Sequence, residues 1–129
     1  MTPEKLQRLF RYYNRRYWRG RLPEYQIRFE PLPEDTDRKI LAWCDAPNQT
    51  LRFDPEKIKT DRQWRITLLH EMCHVAVGPG HFRKEFLDQV FLRCPRYVGM
   101  DWCFGNRDVF TAIKYGPRRA RQVHRRLGW

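Results

Sequence analysis

The sequence contains no apolar run approaching the roughly 18–20 residues that a membrane-spanning helix needs, which excludes a helical membrane protein. The first residues, "MTPEKLQRLFRYYNRR", lack the apolar stretch of a secretory signal, so the chain is expected to work inside the cell, in the cytosol or at the nucleoid. Cysteine is sparse. Cys44, Cys73, Cys94 and Cys103 include no Cys-x-x-Cys pair, which argues against a zinc ribbon and, in a reducing compartment, for thiols rather than a disulfide framework. Acidic residues are few, 15 against 26 Lys and Arg, for a net charge of +11. That surplus attracts polyanions, although the same charge also serves solubility alone. Histidine numbers only 4, and three of them fall within "HEMCHVAVGPGH", residues 70–81.

The chain of 129 residues, 41% hydrophobic and 15% aromatic, is long enough for one compact core, and it shows no repeats or low-complexity runs. Residues 3–19 read as an amphipathic helix. Leu6, Leu9, Phe10, Tyr13 and Tyr17 form its apolar stripe; Arg8, Arg11, Arg15 and Arg19 form a basic face, either solvated or polyanion-binding. Gly20 and Pro23 end it. Tyr25–Glu30 alternates as a strand, and Lys39–Asp45 and Thr50–Asp54 flank the turn-like "APNQ" as an antiparallel hairpin. The polar loop "PLPEDTDR" separates strand from hairpin. Thr60 and Gln63 have capping-box spacing for a helix that starts at Asp61, is apolar nearly all round, and stops at Gly78-Pro79-Gly80. A further helix, "HFRKEFLDQVFLR", ends at Cys94-Pro95. A shorter one, "RDVFTAIKY", has Asn106 or Asp108 as cap and Gly116 as stop, and Pro117 opens a basic terminal helix.

His70 and His74, four apart on a helix, share one face and can chelate one ion. Glu71 projects about 100° from His70, at the edge where it can reach a metal-bound water. This is the H-E-x-x-H pattern in which the carboxylate serves as general base. Zinc needs a third protein ligand and an open position for water. His81 supplies the ligand once the Gly-Pro-Gly segment reverses the chain. Two histidines and a glutamate on an apolar helix are costly to bury unless something pairs with them, and a metal does so. Cys73 lies on the apolar flank and reads as a small buried hydrophobe, and His124, among arginines, reads as a surface residue.

These residues resemble the SprT-like (Spartan-related) metalloprotease family. The likeness runs from Leu6 to about Phe86: an aromatic-rich helix, "GRLPEYQIRF", a hairpin, "LLHEMCH", and "GHFRKEF" with the third histidine. The WLM metalloproteases share a similar Gly-Pro and histidine after the helix. A metzincin-like pattern fits less well, because Gly78 and His81 follow His74 by four and seven residues rather than three and six; Met100 would then stand for the methionine turn.

The resemblance implies an α+β, zincin-like single domain, with an N-terminal helix, a small antiparallel sheet of three or four strands, the buried H-E-x-x-H helix and further C-terminal helices. It spans residues 1–116, followed by a basic tail, 117–129. It implies zinc on His70, His74 and His81, Glu71 as catalytic base, and a DNA-associated protease acting on proteins crosslinked to DNA. Compared with many members, the segment between His74 and His81 is short, and no C-terminal zinc ribbon follows Cys103.

In the expected mechanism zinc polarises the scissile carbonyl and acidifies a water, Glu71 moves its proton to the leaving amine, and a sheet strand pairs with the substrate. Tyr97, Tyr115 and nearby arginines are the candidates for stabilising the oxyanion. Arg118, Arg119, Arg121, Arg125 and Arg126 are the expected DNA contacts. Ala120, Val123 and Leu127 would dock their helix, and Tyr12, Trp18 and Trp129 would stack on unpaired bases. Two other functions compete: a nonenzymatic, zinc-stabilised DNA-binding module, and a zinc peptidase indifferent to DNA. The expected partners are protein substrates and single-stranded or partly unpaired DNA, with no membrane, and the chain is expected to be a monomer.

Overall fold

The computed structural model describes residues 1–34, 40–81, 83–106 and 116–128. Among these residues it forms five helices and a three-stranded sheet, distributed over two compact units, Met1–Gly78 and Pro79–Trp129. No helix among the described residues is long and apolar enough to cross a membrane.

In the first unit, α1 (Pro3–Trp18) begins where the Thr2 hydroxyl accepts the Lys5 N–H at 3.2 Å, with proline in the first turn, where its missing N–H costs nothing. It ends in the left-handed Arg19 and Gly20, whose N–H bonds back to the Asn14 carbonyl. Leu6, Phe10 and Tyr13 bury the predicted stripe, and Arg8, Arg11, Arg15 and Arg19 face solvent. Trp18 departs from expectation: it is 3% exposed, a core residue rather than a surface aromatic, whereas Tyr12 is 49% exposed.

The strands are β1 (Gln26–Phe29), β2 (Ala42–Asp45) and β3 (Thr50–Phe53). The hairpin forms as expected, with β2 antiparallel to β3 around the four-residue turn Ala46–Gln49. The sheet as a whole is mixed rather than antiparallel. Its order is β1-β3-β2, and β1 runs parallel to β3, with Ile27 opposite Leu51 and Phe29 opposite Phe53. β1 and β2 occupy opposite edges and run antiparallel to each other, so β1, two reversals removed, runs parallel to β3. Gln7 fixes β1 to α1, its Nε2 donating to the Tyr25 carbonyl and its Oε1 accepting the Ile27 N–H. The Asp54 carboxylate, just past β3, accepts the Leu32 and Glu56 N–H groups, and Lys57 donates to the Leu32 carbonyl at 2.8 Å. Together they tie the strap after β1 to the end of β3.

α2 (Asp61–Val77) starts at the expected box. Thr60 Oγ1 accepts the Gln63 N–H, although Gln63 Oε1 takes the N–H of Lys59 rather than that of the cap itself. Trp64, Thr67, Leu68, Leu69, Met72 and Cys73 are buried. The sheet's inner face meets this helix through Phe29, whose ring stacks on Trp64 at 4.9 Å.

The second unit is helical. The predicted helix from His81 begins later, at α3 (Lys84–Asp88), and continues as a π-helical turn (Gln89–Arg93) to Cys94. α4 (Arg96–Asn106) forms where the sequence pattern predicted no element, and it carries Met100 inside a helix, not in a turn. α5 (Pro117–Leu127) buries Ala120, Val123 and Leu127 as expected. Gly99 of α4 lets these parts close: a Cβ there would lie 2.9 Å from the Phe91 ring and 3.3 Å from Leu127. The predicted helix at 107–115, with Tyr115, and the Trp129 side chain lie outside the described residues. None of the four cysteines is in a disulfide.

Candidate metal centre

α2 carries His70, Glu71 and His74 on its last two turns. The four-residue step puts both imidazoles on one face, and their ring centroids stand 5.1 Å apart at 67°. The helix stops at Gly78, whose φ of 87° and ψ of −168° lie in a region essentially reserved for glycine. That turn aims the Gly78 carbonyl back at His74, whose Nδ1 lies 3.0 Å from it. A carbonyl only accepts, so the hydrogen bond requires the proton on Nδ1 and leaves the lone pair on Nε2. This is the tautomer a metal ligand needs, fixed by the backbone turn that ends the helix.

His81 follows Gly80, a second residue at positive φ. One ring nitrogen from each of His70, His74 and His81 lies within 4.8 Å of the others, and all three residues are half-buried. Nitrogens sharing a tetrahedral zinc at about 2.0–2.1 Å sit about 3.3 Å apart, so side-chain adjustment is enough to close the set on an ion. Three imidazoles suit a divalent first-row metal. Cys73, between the helix ligands in sequence, is fully buried and not part of this cluster, as the sequence suggested. His124 is half-buried on α5 rather than a plain surface residue.

Glu71 is 6% exposed, and burial pushes its carboxyl up to about 8, with no hydrogen-bond donor or cation among the described residues offsetting the cost. A cation on the adjacent histidines acts in the opposite sense and favours the ionised form. The uncompensated carboxyl and the converging imidazoles therefore fit a bound divalent ion. Cys44 of β2 lies within electrostatic reach of Glu71. Burial first, then the charges of Glu71 and Asp45, push its thiol up to about 12, which keeps it protonated and disfavours it as a thiolate ligand.

The three histidines singled out in the sequence lie together, but no sequence signal points to what packs against His81. Its ring centroid lies 5.5 Å from that of Phe86 and 6.0 Å from that of Trp102, and Phe86 and Trp102 contact each other at 5.7 Å. Nothing in the local pattern links residue 81 to residue 102. The five tail arginines are not equivalent. Arg118, Arg121 and Arg125 are exposed, while Arg119 pairs with Asp88 at 3.1 Å and Arg126 donates to the Cys94 carbonyl. Tyr97 is half-buried in α4.

No curated protein and no solved structure matches the chain. A family model does: that of the SprT-like family matches residues 6–91, about two thirds of the sequence, from the first buried leucine of α1 through α2 to the π-helical turn. With the H-E-x-x-H helix and the third histidine inside the matched segment, the chain belongs to the SprT-like family.

Proposed function

We propose that the protein is a zinc-dependent endopeptidase that acts in association with DNA on proteins bound or crosslinked to it. The observation that carries this reading is the convergence of three imidazole nitrogens beside a buried glutamate on the same helix. His70, His74 and His81 would hold the ion. Zinc, when bound, supplies Lewis acidity that polarises a peptide carbonyl and acidifies water.

The rest belongs to the chain's own side chains. His74 presents Nε2 because Gly78 holds the proton on Nδ1. Glu71, one residue from the first ligand, accepts the proton of the attacking water and passes it to the leaving amine. A site that only stabilised the fold would have no use for a buried carboxyl there, which favours the enzyme over a nonenzymatic zinc module. Among the described residues β2 pairs with β3 alone, so its other edge would offer backbone groups to an extended peptide.

DNA would be held by the exposed Arg118, Arg121 and Arg125, with Arg119 and Arg126 adding charge from their intramolecular contacts. That two of the five arginines serve the fold also favours a second reading, a zinc peptidase for which DNA is irrelevant. The expected setting is the cytosol or nucleoid, and the expected state a monomer.

The test is cleavage of a basic DNA-binding protein by the purified chain, with and without single-stranded DNA, beside Glu71→Gln. The reading predicts cleavage that DNA accelerates and that Glu71→Gln reduces by at least about 10²-fold with zinc retained. DNA-independent cleavage would select the second reading, and undiminished turnover in Glu71→Gln would remove Glu71 as the base.

A further inference from the structure

His81 differs from the other two histidines in what fixes it. His70 and His74 sit on a 17-residue helix, whereas His81 precedes α3 and follows a glycine at φ 101°. A side chain on such a segment has rotamers to lose when it binds a metal. The structure shows where that freedom is removed. The His81 ring meets Phe86 of α3 edge-on, at 77° and 5.5 Å, and lies tilted against Trp102 of α4 at 46° and 6.0 Å. The two aromatic rings also contact each other, at 5.7 Å, so each of the three rings touches the other two. Phe86 is fully buried and Trp102 is 9% exposed, so neither ring has room to swing away. Trp102 also lies outside the segment matched by the family model, which ends at residue 91.

We propose that Trp102, braced by Phe86, is a positioning residue for His81, holding the imidazole in the orientation the metal centre requires. This rests on the reading of His70, His74 and His81 as a zinc site. Two effects act together. The packed rings restrict the imidazole before the ion arrives, which lowers the entropy lost on binding. A metal-bound imidazole also carries more positive charge than a neutral one, and an indole attracts cationic groups within about 6 Å of its ring better than a phenyl or an aliphatic side chain does. Groups that orient a metal ligand from behind typically contribute about 10–100-fold to metal affinity.

The experiment strips metal from the full chain and titrates zinc against a chelating indicator. Wild type is compared with Trp102→Leu, Trp102→Phe and His81→Ala, and the fold of each metal-free variant is checked by circular dichroism. Trp102→Leu should bind zinc about 10–100-fold more weakly with an unchanged spectrum. Trp102→Phe, which keeps a flat ring, should recover most of that loss, and a merely structural role would give no such graded rescue. If Trp102→Leu binds as tightly as wild type while His81→Ala binds weakly, the positioning role is wrong and the zinc site stands. If His81→Ala also binds as wild type, the zinc-site reading itself falls. Should Trp102→Leu not fold, tryptophan emission decides. The first equivalent of zinc should change wild-type emission and leave Trp102→Phe unaltered, and the same change in both would overturn the proposal.

Discussion

Gly78 ends α2 and, through the same φ of 87°, turns its carbonyl onto His74 Nδ1. An alanine there would be forced into a region costing about 1–3 kcal/mol, and relief of that strain would turn the carbonyl away. Gly78→Ala is therefore expected to lower the melting temperature of the metal-free chain and to weaken zinc binding in a chelator titration. A variant unchanged in both would show that the turn does not set the tautomer. That His70 and His74 share a face was legible from sequence, because four residues are close to one helical turn. The hydrogen bond behind His74 was not, since it depends on the backbone angles of a loop. Trp18 and Tyr12 teach the same lesson. Both sit on a helix with exposed arginines, yet Trp18 is buried and Tyr12 is open, a difference that the composition of the helix does not reveal. Of the two aromatics expected to stack on DNA, Tyr12 is open to solvent and Trp18 is not.

Among the elements, α1, the hairpin and α2 were readable because apolar periodicity and caps coincide there. Alternation marked Tyr25–Glu30 as a strand but says nothing of which strand lies beside it. The parallel pairing with β3 therefore had to come from three dimensions. α4 was hidden because Gly99 sits mid-helix, where glycine ordinarily weakens a helix; here its missing side chain admits the Phe91 ring. The strap after β1 gives a pH prediction. The N–H of Leu32, then that of Glu56 and the Lys57 ammonium, outweigh burial and hold the Asp54 carboxyl below the usual carboxylate range. A depressed folded-state value means that this stabilisation is fully present above the unfolded value of about 3.9 and is lost as pH falls through the folded one. Thermal melts from pH 7 to pH 2 should show Asp54→Asn less stable than wild type at pH 7, with the gap narrowing at the acid end. A gap constant across that range would show that the charge of Asp54 does not anchor the strap.

For the molecule as a whole, the net charge of +11 raises the DNA question and the arrangement of the arginines sharpens it. Replacing Arg118, Arg119, Arg121, Arg125 and Arg126 with Gln should weaken binding to labelled single-stranded DNA and flatten its salt dependence, because each lost phosphate contact lowers the slope by about 0.7 for a single strand. Arg119 and Arg126 also have partners within the fold, so the triple variant at 118, 121 and 125 should retain the wild-type melting temperature while losing most of the slope. Equal binding by wild type and the five-fold variant at two salt concentrations would remove the tail as the DNA surface. The proposed chemistry depends first on the metal. Elemental analysis of the purified chain measures it most directly, with His74→Ala prepared alongside. One zinc is expected per wild-type chain and little in His74→Ala, because two remaining imidazoles hold the ion poorly. Full zinc occupancy in His74→Ala would contradict that expectation.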